Sequence, residues 1–328
     1  MTMVQRFASR LALAGLVVGA ALPALAQSHY PDKPIRMIVP YSPGGQFDIH
    51  ARALAIKMQE TLGQSIIIEN KPGGATTLGT TSVAQSKNDG YTLLFAGAGA
   101  FAIAPHQIKD IAYKNADFQP ISMVSTISQG FIINTDVIPV QNLAEFLAYV
   151  KARPGKFTYG TSGTGGGQHL VGERIKEETG IDITQVGYRG SPEVLRDLLG
   201  GQIGITVDGL VAYLPRLAPN GPLRAIAINS RERLAAAPDV PTFAELGYPQ
   251  LTSESWGGIL APAGTPRAIV NKLHEAIVQA NKTEDIQTRV IRDGATPLTT
   301  TPEEFARVMD SDYQKFGSII RKLNIKPQ

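Results

Sequence analysis

The sequence contains no cysteine and only one tryptophan among its 328 residues. Disulfides, thiolate metal ligands and a cysteine nucleophile are therefore excluded. No lysine- and arginine-rich run interleaved with aromatic residues is present, so the chain carries no electrostatic signature of nucleic-acid binding. The five histidines form no HExxH or similar motif. We expect no metal, no cofactor and no nucleic-acid partner, and a fold stabilised by packing alone.

The N-terminus has the pattern of an export signal. Arg6 and Arg10 precede an apolar run at 11–22, and small residues follow up to Ala26. The run is shorter than the roughly 20 apolar residues of a membrane span, so a cleaved signal fits better than an anchor. We predict that residues 1–26 are removed on export to the periplasm. The mature chain then keeps 29 basic and 28 acidic side chains and is nearly neutral.

Short β-rich runs alternate with helical patterns in the first half of the mature chain. Strands are predicted at 35–41, 64–70 and 91–97, and helices at 48–62 and 76–85. Continuous apolar strands separated by helices are typical of a parallel sheet that is covered on both faces. The first half therefore predicts an α/β unit.

The same alternation begins again near residue 130. Asn142 has the chemistry of a helix cap, with Glu145 three residues later, and Ser191 followed by a proline marks another helix start. No flexible linker interrupts the chain. We predict two lobes with a ligand cleft between them, the first formed by 27–129 and 253–328 and the second by 130–252.

Four glycine-containing loops follow predicted strands and lead into helices. They read PGGQFD from Pro43, PGGATT from Pro72, TSGTGGGQH from Thr161 and YRGSPE from Tyr188. Glycine permits a sharp turn, and the first N–H groups of the following helix lack an intrahelical acceptor and carry partial positive charge. Ligands of open α/β sheets bind at the carboxyl ends of the strands. One such loop is more often a plain connection, but two in each lobe predict an anion-binding cleft.

These motifs closely resemble the tripartite tricarboxylate transporter substrate-binding proteins, also called the Bug family. The matching stretches are YPDKPIRMIVPYSPGGQFDIHARALA, LGQSIIIENKPGGATTLGT, DGYTLLFAG, PGKFTYGTSGTGGGQHLVGE, VGYRGSPEVLRDLLGGQI, RERLAAAPDVPTFAELGYP and WGGILAPAGTP, which together span essentially the whole mature chain. The resemblance implies a type II-like periplasmic binding fold in which each lobe is a mainly parallel sheet flanked by helices. It also implies a monomeric, non-enzymatic protein that closes on a small di- or tricarboxylate or aromatic acid and delivers it to a membrane permease.

Carried over by position, the resemblance predicts ligand contacts in the strand-end loops of both lobes. The predicted ligand-binding residues are Tyr41, Pro43, Gly44, Gly45, Asp48, Gly74, Ala75, Ala98, Phe101, Ser162, Thr164, Gly165, His169, Arg189 and Asp208. Two loops depart from the commonest family pattern. PGGATT stands where GAGG is frequent, and GAGAFA at 97–102 replaces a more hydroxyl-rich loop. Loss of hydroxyls together with Phe101 gives the hypothesis of a less polar ligand, such as an aromatic or longer-chain acid.

Several of these residues have an equally simple structural role. Arg189 suits a carboxylate clamp or a brace for a neighbour such as Asp208. Asp48 and Asp208 would repel an anion, so each is a cap, a brace or an acceptor for a ligand hydroxyl or ammonium. His169 is a donor to the ligand or a packed histidine. Trp256 belongs to the core or to a pocket wall.

A secreted hydrolase that uses Ser162 and His169 is the alternative function. GTSG is not the GxSxG nucleophile elbow, and the two residues are separated by a loop and a helix start. GAGAFA formally matches the dinucleotide motif GxGxxA, but Pro105 interrupts the helix that should follow. The sequence therefore supports a hydrolase or a dinucleotide-dependent enzyme less well than it supports a solute-binding protein.

Overall fold

The computed structural model describes residues 30–162, 166–217 and 221–322. The predicted signal peptide and its cleavage site lie outside these ranges. No helix within them is long and apolar enough to cross a membrane.

Both faces of the inner strands are buried, as their continuous apolar sequences require. In β1 (Ile35–Val39), Ile35 packs in one hydrophobic cluster and Ile38 in another, because alternate residues of a strand point to opposite faces. In β5 (Gln129–Asn134), Phe131 and Ile132 belong to two further clusters in the same way. Each sheet is therefore covered on both faces by helices and loops, and each has its own core.

The strands and helices follow the predicted alternation closely. The other strands are β2 (Ile66–Asn70), β3 (Thr92–Gly97), β4 (Phe118–Ile127), β6 (Phe157–Thr161), β7 (Ile183–Gly187), β8 (Ile205–Gly209), β9 (Leu223–Ile228), β10 (Ser255–Pro262) and β11 (Ala295–Pro297). The helices are α1 (Gln46–Leu62), α2 (Thr77–Ala84), α3 (Ala104–Gln107), α4 (Leu143–Lys151), α5 (Gly167–Thr179), α6 (Ser191–Leu199), α7 (Arg267–Asn281), α8 (Glu284–Arg292) and α9 (Pro302–Lys322). The predicted cap of α4 is confirmed, since Asn142 Oδ1 accepts a hydrogen bond from the Glu145 N–H at 3.0 Å.

The α/β class is confirmed, but the prediction of mainly parallel sheets is wrong in detail. The strand order is β11-β4-β10-β3-β1-β2 in the first sheet and β7-β6-β8-β5-β9 in the second. Pairing is parallel only among β1, β2 and β3 and among β6, β7 and β8. The remaining pairs are antiparallel: β10 with β3 and β4, β11 with β4, and β5 with β8 and β9.

Two chain segments connect the lobes, and Asn229 ties them together. The chain leaves the first sheet at Ile127, enters the second at Gln129 and returns through Ser253. Asn229 Oδ1 accepts from the Gln129 N–H at 2.7 Å, and its Nδ2 donates to the Ser253 carbonyl at 2.6 Å. Glu254 adds a second tie, accepting from the hydroxyl of Ser128. The predicted lobe boundaries fall beside these segments, and the division into separately moving lobes is a proposal.

We predict that Asn229→Ala lowers the free energy of unfolding by about 3 kcal/mol, because it leaves a buried N–H and a buried carbonyl without partners. Asn88→Ala is the matched control, since Asn88 is exposed and makes one surface hydrogen bond to Gly264. Urea unfolding of both variants measures the difference. Equal stability of the two variants would contradict the role given to Asn229.

Candidate functional site

A cavity of about 480 Å³ lies between the two sheets and has walls from both lobes. The first lobe contributes the end of β3 and the start of α1, and the second contributes the starts of α5 and α6 and the end of β8. Its volume is within the range of pockets for small molecules. Strand ends and helix starts thus meet at one gap, as the loop pattern predicts.

Three helix starts face this cavity. Gln46 and Phe47 are the first residues of α1, Gly167 and Gln168 begin α5, and Ser191 begins α6, and all five line the cavity. The first N–H groups of a helix have no acceptor within the helix, and the helix dipole gives that end partial positive charge. The cavity therefore offers main-chain donors from both lobes to a negatively charged group.

An aromatic pair forms one wall. The rings of Tyr41 and Phe47 stack with centroids 4.3 Å apart, and Tyr41 Oη accepts a hydrogen bond from the Gly97 N–H at 3.1 Å. Burial raises the pKa of Tyr41 to about 12, although the Gly97 hydrogen bond opposes the shift. The phenol is therefore uncharged at neutral pH, and this wall is apolar.

Asp208 lies on the opposite side, buried and surrounded by donors. Oδ1 accepts from the Gly209 N–H at 2.8 Å and from Ser162 Oγ at 3.2 Å, and Oδ2 accepts from Tyr213 Oη at 3.0 Å. Burial raises the pKa of Asp208 despite these hydrogen bonds and another from Ser191. The carboxyl joins the end of β8 to the loops that precede α5 and α6, which is the bracing role considered from the sequence.

The N–H groups of Gly44 and Gly45, two predicted ligand contacts, already have acceptors within the protein, and neither residue lines the cavity. The Gly44 N–H donates to Asp48 Oδ2 at 2.8 Å, and the Gly45 N–H donates to the Ser42 carbonyl at 3.3 Å. Burial alone would raise the pKa of Asp48, but hydrogen bonds from Arg52, Gly44 and a neighbouring amide hold it below its usual value. Asp48 therefore braces the loop. Gln46 and Phe47, which follow Gly45, line the cavity instead.

The second glycine loop is exposed and does not line the cavity. Ala75 and Thr76 both have positive φ, 49° and 81°, a conformation that side chains with a Cβ adopt at a cost. Gly73 and Gly74 beside them also have positive φ.

Phe101 is not a cavity residue, which corrects the prediction. It lies in a π-helical turn (Gly99–Ile103) that directs its ring into the core, where the Phe118 and Trp256 rings lie at 5.1 and 6.1 Å between centroids. The sequence argument from Phe101 to a less polar ligand therefore loses its basis. Trp256 packs in the same core, and its Nε1 donates to Asp312 Oδ2 at 2.9 Å.

The remaining predicted residues divide into three groups. Tyr41, Ala98 and Asp208 line the cavity. Pro43 and Arg189 are exposed and lie outside its lining, and the Arg189 N–H donates to Glu193. Thr164 and Gly165 lie outside the described residues.

Ser162 and His169 do not form the pair that a hydrolase needs. Ser162 Oγ donates to Asp208 and accepts from Gln168 Nε2 at 3.0 Å. His169 Nε2 lies 3.8 Å from Glu173 Oε1, and burial lowers the pKa of His169 while the charge of Glu173 opposes the shift. Within the described ranges, no group of three metal-ligating side chains is assembled.

Sequence reasoning missed Gln46, Phe47, Ser191, Gln129 and Asp293, all of which line the cavity. The first three directly follow the glycine loops, so the helix-start pattern could have found them. Gln129 and Asp293 follow no glycine loop, and only the folded chain brings them to the cleft.

We predict that Gly97→Ala disturbs the aromatic wall. A Cβ at this position would lie 2.5 Å from Phe47 Cζ and 3.1 Å from the Trp256 carbonyl oxygen. Overpacking of this kind costs about 1–3 kcal/mol of stability. Gly99→Ala is the matched control, because a Cβ there has no atom within 4 Å. Thermal unfolding should show a lower Tm for the first variant alone, and an unchanged Tm for both would refute the packing account.

The chain is similar to known proteins over nearly its full length. The chain matches the tripartite tricarboxylate transporter family receptor over residues 50–325. Protein BugT of Bordetella pertussis is 34% identical over 321 residues, which are 96% of this chain and 98% of BugT. A solved structure described as a periplasmic transporter is 40% identical, with a TM-score of 0.78 and coverage of 90% of this chain and 99% of that one.

A further solved structure, that of R. palustris Rpa4515 with adipate, is 30% identical with a TM-score of 0.78. It covers 91% of this chain and 100% of its own. Family match, full-length relatives and fold agree with one another. The chain therefore belongs to the tripartite tricarboxylate transporter receptor family.

Proposed function

We propose that this protein is a periplasmic receptor that binds a small organic carboxylate in the cavity between its lobes and delivers it to a membrane permease. The observation that carries the proposal is the meeting of three helix starts, from α1 in one lobe and α5 and α6 in the other, at a single cavity. A carboxylate placed there accepts charge-assisted hydrogen bonds from main-chain N–H groups.

Because hydrogen-bond donors lie in both lobes, a bound ligand can hold the two lobes together. A carboxylate held by α1 on one side and by α5 or α6 on the other favours approach of the lobes, because only the closed form satisfies both sets of donors. The short segments at Ile127–Gln129 and Ser253–Ser255 are the connections about which such a movement turns. The permease can then recognise the ligand-bound receptor by its closed form.

Relatives support the carboxylate class. The solved relative Rpa4515 contains adipate, a linear dicarboxylate. Because this chain shares the fold of that protein over nearly its whole length, we propose that its ligand also carries a carboxylate group.

The matching family is one of receptors, so we expect the ligand to be bound and released without chemical change. Ser162 Oγ donates to Asp208 Oδ1 and accepts from Gln168 Nε2, so both hydrogen bonds fix the loop before α5. Tyr41, Ala98 and Asp208 face the ligand, whereas Asp48 and Ser162 act as braces.

The protein acts as a monomer after cleavage of the signal peptide behind Ala26.

We predict that the mature chain, residues 27–328, gains thermal stability with at least one small carboxylate. Adipate, malate, citrate, glutamate and benzoate form the panel, and 1,6-hexanediol is the uncharged control for adipate. Ligand at a hundred times its Kd adds about 2.7 kcal/mol of stability by mass action. Mass spectrometry of the recovered ligand should show it unchanged. Failure of every carboxylate to raise the Tm, or recovery of an altered product, would contradict the proposal.

A further inference from the structure

The charges around the cavity limit the charge of its ligand. Among the described residues, the lining includes two acidic residues, Asp208 and Asp293, but no lysine, arginine or histidine. The loop segment at 163–165, between the described ranges, is Gly-Thr-Gly by sequence and also carries no charge. An anion in this cavity is therefore held by helix ends and neutral donors, opposite fixed carboxyl groups.

Asp293 makes one wall unfavourable for a second negative charge. It is the C-cap of α8, where the last carbonyl groups of the helix carry partial negative charge. Its main-chain carbonyl accepts from Gln46 Nε2 at 3.2 Å, which fixes it beside the start of α1.

The cations near Asp293 do not cancel this charge at the cavity. Arg292 Nε lies 3.4 Å from Asp293 Oδ1, but its side chain is 69% exposed and lies outside the lining. His50 Nε2 lies 3.8 Å from Asp293 Oδ2. Burial lowers the pKa of His50, although Asp293 opposes the shift, so the neutral ring is favoured. A second carboxylate on the ligand would be repelled by Asp293, because the countercharge of Arg292 lies outside the lining.

Gln129 presents a buried acceptor that lacks a donor. Its side chain lines the cavity, the residue is only 7% exposed, and Oε1 has no hydrogen-bond partner among the described residues. The main-chain N–H is fixed by Asn229, and the residue pairs with Gly209 across the strands β5 and β8. The amide oxygen is therefore held in place beside the end of β8. Buried acceptors without donors are rare and costly, and a ligand hydroxyl or ammonium would satisfy this one.

The rest of the lining is largely apolar. Phe47, Ile103, Val171 and Phe316 contribute hydrocarbon surface from both lobes. These side chains suit a ligand with a hydrocarbon body between its polar ends.

We infer that the cavity selects an acid with one carboxylate, a hydrocarbon body and a hydrogen-bond donor, and that Gln129 is the specificity-determining residue that accepts from this donor. This inference rests on the proposed function and narrows its ligand class. Main-chain N–H groups at the helix starts hold the carboxylate, and Gln129 Oε1 accepts from the hydroxyl or ammonium. Plain dicarboxylates and tricarboxylates are disfavoured by Asp293.

Two series of acids with matched chain lengths test the inference by isothermal titration calorimetry. The six-carbon series is hexanoate, 6-hydroxyhexanoate, 6-aminohexanoate and adipate, and the four-carbon series is butyrate, 4-hydroxybutyrate, 4-aminobutyrate and succinate. In the better-fitting series, an acid with a hydroxyl or ammonium should bind about tenfold more tightly than the plain monoacid, as one well-made hydrogen bond predicts. It should also bind more tightly than the diacid.

Gln129→Met removes the acceptor with little change in side-chain volume. It should remove the tenfold preference for the donor-bearing acid while leaving the affinity for the plain monoacid within about twofold. Gln141→Met makes the same chemical change at an exposed residue and should leave all affinities unchanged. The Tm of each variant without ligand establishes that it is folded. Should Gln129→Met fail to fold, Gln129→Glu replaces it: it should weaken binding of the plain monoacid by charge repulsion but keep or strengthen binding of the amino acid, whose ammonium the new carboxylate accepts from.

The possible outcomes distinguish failure of this inference from failure of the proposed receptor function. Binding of a diacid as tight as that of the donor-bearing acid, or an unchanged preference in Gln129→Met, would overturn the inference and leave the receptor function standing. No binding by any acid of either series or of the earlier panel would overturn both.

Discussion

The unpaired N–H groups at the starts of helices are the constraint on which the cleft depends. A helix cannot satisfy its own first donors, so they must face water, a capping side chain or a ligand. Here α1, α5 and α6 begin after glycine, and their N-caps supply no side-chain acceptor. Glycine at these caps thus leaves the helix starts open toward a common cavity, where serine or aspartate would have closed them.

Buried carboxyl groups hold the helix starts in position without occupying them. Asp48 accepts from the loop before α1, and Asp208 accepts from groups near the starts of α5 and α6. Each carboxyl accepts several hydrogen bonds, so its oxygens are held by the protein. Bracing of this kind keeps the helix starts at fixed positions around the cavity.

The two connecting segments couple the cleft to a second cavity. Thr252 and Glu254 line this other cavity, of about 770 Å³, whereas Ser255 lines the cleft, because alternate residues of an extended segment face opposite sides. Ser253 contributes to both, and its hydroxyl accepts from Lys315 Nζ at 3.3 Å. Any rotation of the lobes about these segments changes both cavities at once.

Most of the fold could be predicted from the sequence, but only part of the site. Apolar strands, glycine loops and the Asn142 cap are local signals, and they gave the elements correctly. The amide of Gly44 could not be predicted to pair with Asp48, since that pairing depends on the turn that the loop adopts. Phe101 points into the core because it lies in the π-helical turn Gly99–Ile103, and no local sequence signal predicts that turn. Gln129 reaches the cleft through the pairing of β5 with β8, and Asp293 through the pairing of β11 with β4, and both pairs join distant parts of the chain.

The central claim is that helix starts from both lobes bind one carboxylate, and amide NMR tests it most directly. The mature protein, labelled with ¹⁵N, is titrated with the tightest-binding acid. The account predicts large shifts at the amides of Phe47, Gly167 and Ser191, and none at the exposed start of α7, Arg267, which is an equally uncapped helix end outside the cavity. Shifts confined to one lobe, or shifts of equal size at Arg267, would contradict it.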